Sequence, residues 1–170
     1  FLNYIKKSVR EEPSNEKAWI YLIKYYFNKK NYRQSKYLAS KALNNNHNSI
    51  EILNLISIIY YKTQCYEDSI KFYNQILDFN ENISWKIWKG YIRCLIDAKR
   101  WSDLLKVSLK AKKHYPNKAF VDFTISGCLL KHGKLNEAIY FFQSGNKVCG
   151  VPTKLIESFP EFTENKTLLV

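Results

Sequence analysis

The chain of 170 residues contains no methionine. That absence leads us to expect a segment of a longer polypeptide, or a chain processed at its front. No run of about eighteen apolar residues occurs, which excludes a membrane-spanning helix. The opening stretch FLNYIKKSVREEP lacks the layout of a secretory signal. Cysteine is sparse: Cys65, Cys94, Cys128 and Cys149 form no C-x-x-C pair. Their spacings suit neither a zinc site nor a small disulfide scaffold, and their rarity fits a reducing compartment. Arginine is scarce too, with 4 Arg against 23 Lys. A groove built for nucleic acid usually recruits Arg, whose planar fork matches phosphate and guanine. The net charge of +12, in a chain that also holds 16 Asn, therefore reflects AT-rich coding more than phosphate binding. It still favours acidic partners, weakly. In so Asn-rich a chain, the sequons at Asn82 and Asn165 are expected by chance.

What is present is a period. Tyr32, Tyr66, Trp101 and Leu135 follow one another at steps of 34, 35 and 34. Tyr26, Tyr60, Leu95 and Leu129 keep the same steps, as do Ser35, Ser69, Leu104 and Ala138, and Ala42, Ile76, Ala111 and Gly145. One extra residue between Asn80 and Trp88 accounts for the longer step. Four copies at this period predict an array of helix–turn–helix repeats. Hydrophobic content of 46% suffices to bury a core.

Each repeat reads as two helices. Apolar residues at helical spacing, such as Trp19, Leu22, Ile23 and Tyr26, mark the first. A polar turn follows (NKKN, TQC, AKR or KHGK), and the second helix opens on the aromatic position. Asn or Pro then ends the pair. The pattern predicts helices over 16–29, 32–45, 50–62, 66–79, 84–97, 101–114, 118–131 and 135–147. Residues 1–14 read as the second helix of a preceding repeat and 15–147 as four helix pairs. Residues 148–170 form a tail or cap with a short helix near 153–158. Trp19, Tyr26, Tyr32, Tyr60, Tyr66, Trp88, Leu95 and Trp101 are expected to be buried. Lys106, Lys110 and Lys113 form one stripe, expected on a solvated face.

This period and these residues resemble the tetratricopeptide repeat family over about residues 1–150. The family's early large-aromatic position holds Trp19, Leu53, Trp88 and Asp122 here, the last a departure. The family's small residues are matched by Ser57, Ser126, Ser35, Ser69 and Ala138, with departures at Ile23, Ile92 and Leu104. The third repeat also resembles, distantly, repeats in subunits of the anaphase-promoting complex. The resemblance implies an all-α, right-handed superhelical solenoid of antiparallel helix pairs.

It further implies a concave groove lined by the first helices, here Lys17, Tyr21 and Lys24, then Asn54 and Tyr61, then Lys86, Lys89 and Arg93, then Phe123. Aromatics alternate there with cations, which suits an acidic and apolar peptide. The other reading is that the aromatics pack on a neighbouring helix or on the tail. The tail ESFPEFTEN, itself acidic and aromatic, is expected either to cap the last pair or to occupy a groove. Family members that clamp a chaperone's terminal carboxylate use Lys, Asn and Arg where this chain has Ile20, Lys24, Leu55, Lys86 and Gly90. Only Lys86 fits, so that mode is not expected.

Chemistry is hard to find elsewhere. GCLLKHGKL has the wrong glycine spacing for a phosphate loop and Leu135 where a hydroxyl is required. His47, His114 and His132 share no ligand spacing, and no nucleophile has a catalytic context. The reading is a non-catalytic protein-interaction scaffold, part of a larger complex subunit in the cytoplasm or nucleus, without cofactor, metal or membrane. The alternative is a basic, RNA-associated helical-repeat protein.

Overall fold

The computed structural model describes residues 2–45, 49–80, 82–165 and 168. The position matching Pro116 in two other repeats, His47 and Glu81, falls outside them. The described chain is all α. Eleven helices follow in order: α1 (Leu2–Glu11), α2 (Glu16–Asn28), α3 (Tyr32–Asn45), α4 (Ile50–Lys62), α5 (Tyr66–Phe79), α6 (Trp85–Asp97), α7 (Trp101–His114), α8 (Ala119–Lys131), α9 (Leu135–Asn146), α10 (Thr153–Ser158) and α11 (Glu161–Glu164). The chain divides into two compact units, 1–94 and 95–170, the division falling inside α6.

Local chemistry sets the helix starts. The Asn15 side chain accepts from the Ala18 N–H at 3.1 Å, and Ser49 does the same for Ile52 at 3.1 Å. Each satisfies an amide that the first turn leaves without a helical acceptor. Glu16 and Glu51 in those first turns complement the helix dipole. The Ser49 hydroxyl also reaches Glu16 at 2.5 Å, tying the starts of α2 and α4 together.

The turns inside the helix pairs share one backbone solution. Lys30, Gln64 and Lys99 have φ of 58°, 60° and 57°, and Gly133 has 72°. These four stand at the repeat period, and each provides the left-handed residue that reverses the chain. Only Gly133 adopts that conformation without a Cβ penalty. Gly133 therefore belongs to a turn, and Gly127 lies inside α8; neither serves a phosphate loop.

Where the helices of a pair cross, one contact repeats. The Ser35 hydroxyl donates to the Ile23 carbonyl at 3.1 Å, and Ser69 donates to the Ser57 carbonyl at 2.8 Å. In the last pair the direction reverses, and Ser126 donates to the Ala138 carbonyl at 2.8 Å. The third pair carries Ile92 and Leu104 at the same positions, both buried.

In the first unit, Trp19, Leu22, Ile23, Ile52, Ile56 and Ile59 of α2 and α4 meet Leu38, Ala39 and Ala42 of α3. Trp19 keeps its indole N–H satisfied on the Pro13 carbonyl at 2.8 Å. The Tyr73 and Tyr91 rings stack with centroids 5.1 Å apart, docking α6 on α5. Trp19, Trp88 and Leu95 are buried as expected, whereas Tyr26, Tyr32, Tyr60, Tyr66 and Trp101 are only half-buried. Tyr60 among them stacks on Phe72 with ring centroids 5.5 Å apart.

In the second unit α8 is buried almost all round, from Ala119 through Leu129 with only Phe120 partly open. A helix buried on nearly every face needs cover on every side, and α7, α9 and the tail supply it. Asp122, standing where the family has an aromatic, is 2% exposed and pairs with Lys112 at 2.5 Å. Lys112 also donates to the Pro116 carbonyl at 2.6 Å, and Ser144 donates to Asp122 at 3.3 Å. A polar knot thus replaces an aromatic plug and pins the turn between α7 and α8. Lys106, Lys110 and Lys113 are all exposed on α7.

Candidate interaction face

The first helices of successive repeats in the first unit are α2, α4 and α6. On α2, Lys17, Tyr21 and Lys24 are exposed, at spacings of four and three that place them on one face. Lys24 reaches Glu51 on α4 at 2.8 Å, which shows that these faces of α2 and α4 adjoin. Both partners are about half exposed, so the pair contributes roughly 0–1 kcal/mol.

Asn54 and Tyr61 on α4 are half-buried, with the Tyr61 ring 5.9 Å from Tyr66. On α6, Lys86 and Arg93 are exposed and Lys89 is half-buried. Between them a Cβ on Gly90 would stand 2.7 Å from the Tyr73 hydroxyl. Glycine there lets Tyr73 of α5 press against α6. Burial, with smaller contributions from Cys94 and Tyr61, holds the Tyr73 phenol well above the usual tyrosine range. It therefore stays a neutral hydroxyl, donating or accepting but adding no negative charge. Ile20 and Leu55, also on groove positions, are core residues instead.

Phe123 corrects the expectation. It is fully buried, edge-on to Phe142 with centroids 5.6 Å apart. A Cβ on Gly145 would lie 2.9 Å from its ring. The ring sinks into the space that this glycine leaves, so Phe123 packs on its neighbouring helix and offers nothing to a ligand.

In the second unit the first-helix face of α8 is occupied. The tail turns over it: Leu155, Phe159 and Phe162 are buried. Phe159 lies over Gly127, where an added Cβ would be 2.5 Å from the ring, and beside Trp101 at 5.3 Å. Phe162 meets Phe142 at 5.4 Å. Glu161 takes Lys131 at 2.7 Å, while the same ammonium sits 4.8 Å above the Trp101 ring. Gly127 stands one period after Arg93, a groove position of the third repeat, and Lys131 follows it one helical turn on. The tail thus caps the last helix pair by filling its groove. The sequence suggested this only through the acidic–aromatic character of ESFPEFTEN.

Among the described residues no group of three or more His, Cys, Asp or Glu is placed to hold a metal ion. No helix of the described residues is long and apolar enough to cross a membrane. Cys94 and Cys128 are buried free thiols and Cys65 and Cys149 exposed ones. Burial pushes the Cys128 thiol up to about 12, against a lowering by Lys131. Its reactive thiolate is therefore suppressed.

No protein-family model and no curated protein sequence matches the chain. Solved structures do. The chain is similar over its whole length to "YrrB: a TPR protein with an unusual peptide-binding site", with a TM-score of 0.77 and 13% identity, covering 89% of that chain. It is similar to a crystal structure of MamA with a TM-score of 0.72 and 12% identity, over 97% of this chain and 84% of that one. Against residues 41 to the end of MamA from Desulfovibrio magneticus RS-1 the TM-score is 0.70 at 12% identity, over 86% of this chain and 82% of that one. The fold is an all-α tetratricopeptide-type repeat array.

Proposed function

We propose that this chain is a non-catalytic interaction scaffold whose first-helix face, on α2, α4 and the start of α6, binds an extended acidic and aromatic peptide. The observation that supports this most is the tail. In the fourth repeat the same structural face already holds such a segment, with Phe159 over Gly127 and Glu161 on Lys131. In the first unit the corresponding face carries Lys17, Lys24, Lys86, Lys89 and Arg93 with Tyr21 and Tyr61 beside them. Apolar anchors would supply affinity and the cations steering and orientation. YrrB is described as having a peptide-binding site, which agrees with peptide binding on this fold.

The test is fluorescence anisotropy of a labelled peptide of sequence ESFPEFTEN titrated with the whole chain. Saturable binding is expected, weakened at least tenfold by Lys24→Glu with Arg93→Glu. Reversing Lys106, Lys110 and Lys113 to Glu removes more charge from another face and should leave the affinity within about twofold. Equal losses in both variants would reduce the effect to net charge. Tighter binding of single-stranded RNA than of peptide, with a steep salt dependence, would favour the nucleic-acid reading instead.

A further inference from the structure

A second concavity lies on the opposite side of α2, between α1 and α3. It encloses about 680 Å³, within the range of ligand-sized pockets. Trp19 and Leu38 lie buried at its base, and Tyr26 lines its wall. Lys6, Arg10 and Lys41 also line it, and no carboxylate does. Among the described residues none of the three cations has an ion-pair partner. Lys6 lies 6.0 Å above the Tyr26 ring, and Lys41 lies 5.3 Å above the exposed Tyr37.

The repeat itself provides a control. One period further on, the cleft between α3 and α5 has Ser40, Asn44 and Gln75 where the first has Lys6, Arg10 and Lys41. It also has Phe72 in place of Leu38. That larger ring stacks on Tyr60 at 5.5 Å, and Lys36 covers Tyr60 at 3.8 Å. The second cleft thus has a ring where the first has Leu38 and none of the first's three cations, while Asp68, Lys71 and Asp78 stand where the first has Gln34, Tyr37 and Asn44. The difference is set by side chains, not by the fold, so the first cleft is not a by-product of helix packing.

We propose that this cleft is a separate docking site for an acidic segment of a protein partner, which inserts an apolar side chain against Trp19 and Leu38. Its carboxylates pair with Lys6, Arg10 and Lys41. Charge complementarity selects that occupant: three cations without ion-pair partners among the described residues, around an apolar base and with no lining carboxylate, repel a basic segment and favour an acidic one over a neutral one. The site is independent of the first-helix face.

To separate the two, the titration uses the whole 15N-labelled chain carrying Lys24→Glu and Arg93→Glu. The probe is acetyl-Glu-Glu-Phe-Glu-Glu-amide, and the signal is the Trp19 indole N–H, assigned through Trp19→Phe. A saturable shift is expected, and none with the Gln-for-Glu peptide. Leu38→Phe, which installs the ring of the next cleft, should weaken binding at least tenfold, as should Lys6→Glu with Lys41→Glu. Thermal melts verify that both variants fold. An unmoved Trp19 signal would overturn the proposal, as would unchanged binding in both variants. A Trp19 signal that moves on dilution without peptide would put a second copy in the cleft and would also overturn it.

Discussion

At the scale of single residues, four backbone positions do the same job with unequal chemistry. Lys30, Gln64 and Lys99 hold the left-handed conformation that Gly133 holds without strain. Lys99→Gly is expected to raise stability by up to about 1 kcal/mol, the relief exceeding the entropy lost in the unfolded chain. Gly133→Ala should lower it by about 1 kcal/mol. Urea denaturation measures both, and a destabilising Lys99→Gly would refute the account of the turn. The buried Asp122 makes a stronger demand. Lys112→Met leaves its carboxylate without a cation and should cost about 3–5 kcal/mol. Adding Asp122→Leu should recover most of that loss. If the double variant is no more stable than Lys112→Met, the lysine matters through the Pro116 turn and not through the charge pair.

At the scale of elements, the helices were legible because the period repeats and each apolar stripe has one face. The expected spans agree with α2 through α10 to within a residue or so at each end. α11 was not legible: Glu161–Glu164 is a single turn after Pro160, held by Phe162 in a pocket that only the folded unit creates. Burial was legible to a lesser degree. Periodicity places Tyr60 or Trp101 on an inward face but does not say how far neighbouring side chains cover the ring. Phe123 failed for a related reason. Its helix position points to the groove, but Gly145 opens a space behind it, and the glycine at a small-residue position was the available signal. The exposed groove cations could be named in sequence because long charged side chains seldom find core partners. The tail's hold on the second unit is an element-level claim. Phe159→Ala should destabilise by roughly 3–5 kcal/mol, since it opens a cavity against Gly127 and Trp101. A loss under about 1 kcal/mol in calorimetry would mean that the tail is an ornament on a complete unit.

At the scale of the whole molecule, the proposed function is that of a repeat scaffold whose first helices in the first unit bind acidic, aromatic segments, as the second unit already holds the tail. Lys24 pairs loosely with Glu51 across α2 and α4, whereas Lys131 and Glu161 pair within a unit that buries Phe159. One face is available and the other is filled. Hydrogen–deuterium exchange on the whole chain, with and without saturating ESFPEFTEN peptide, tests this most directly. The account predicts slowed exchange in Ile50–Lys62, the helix at the centre of the available face, and unchanged exchange in Tyr66–Phe79 behind it. No protection of Ile50–Lys62, or protection confined to Tyr66–Phe79, would contradict it.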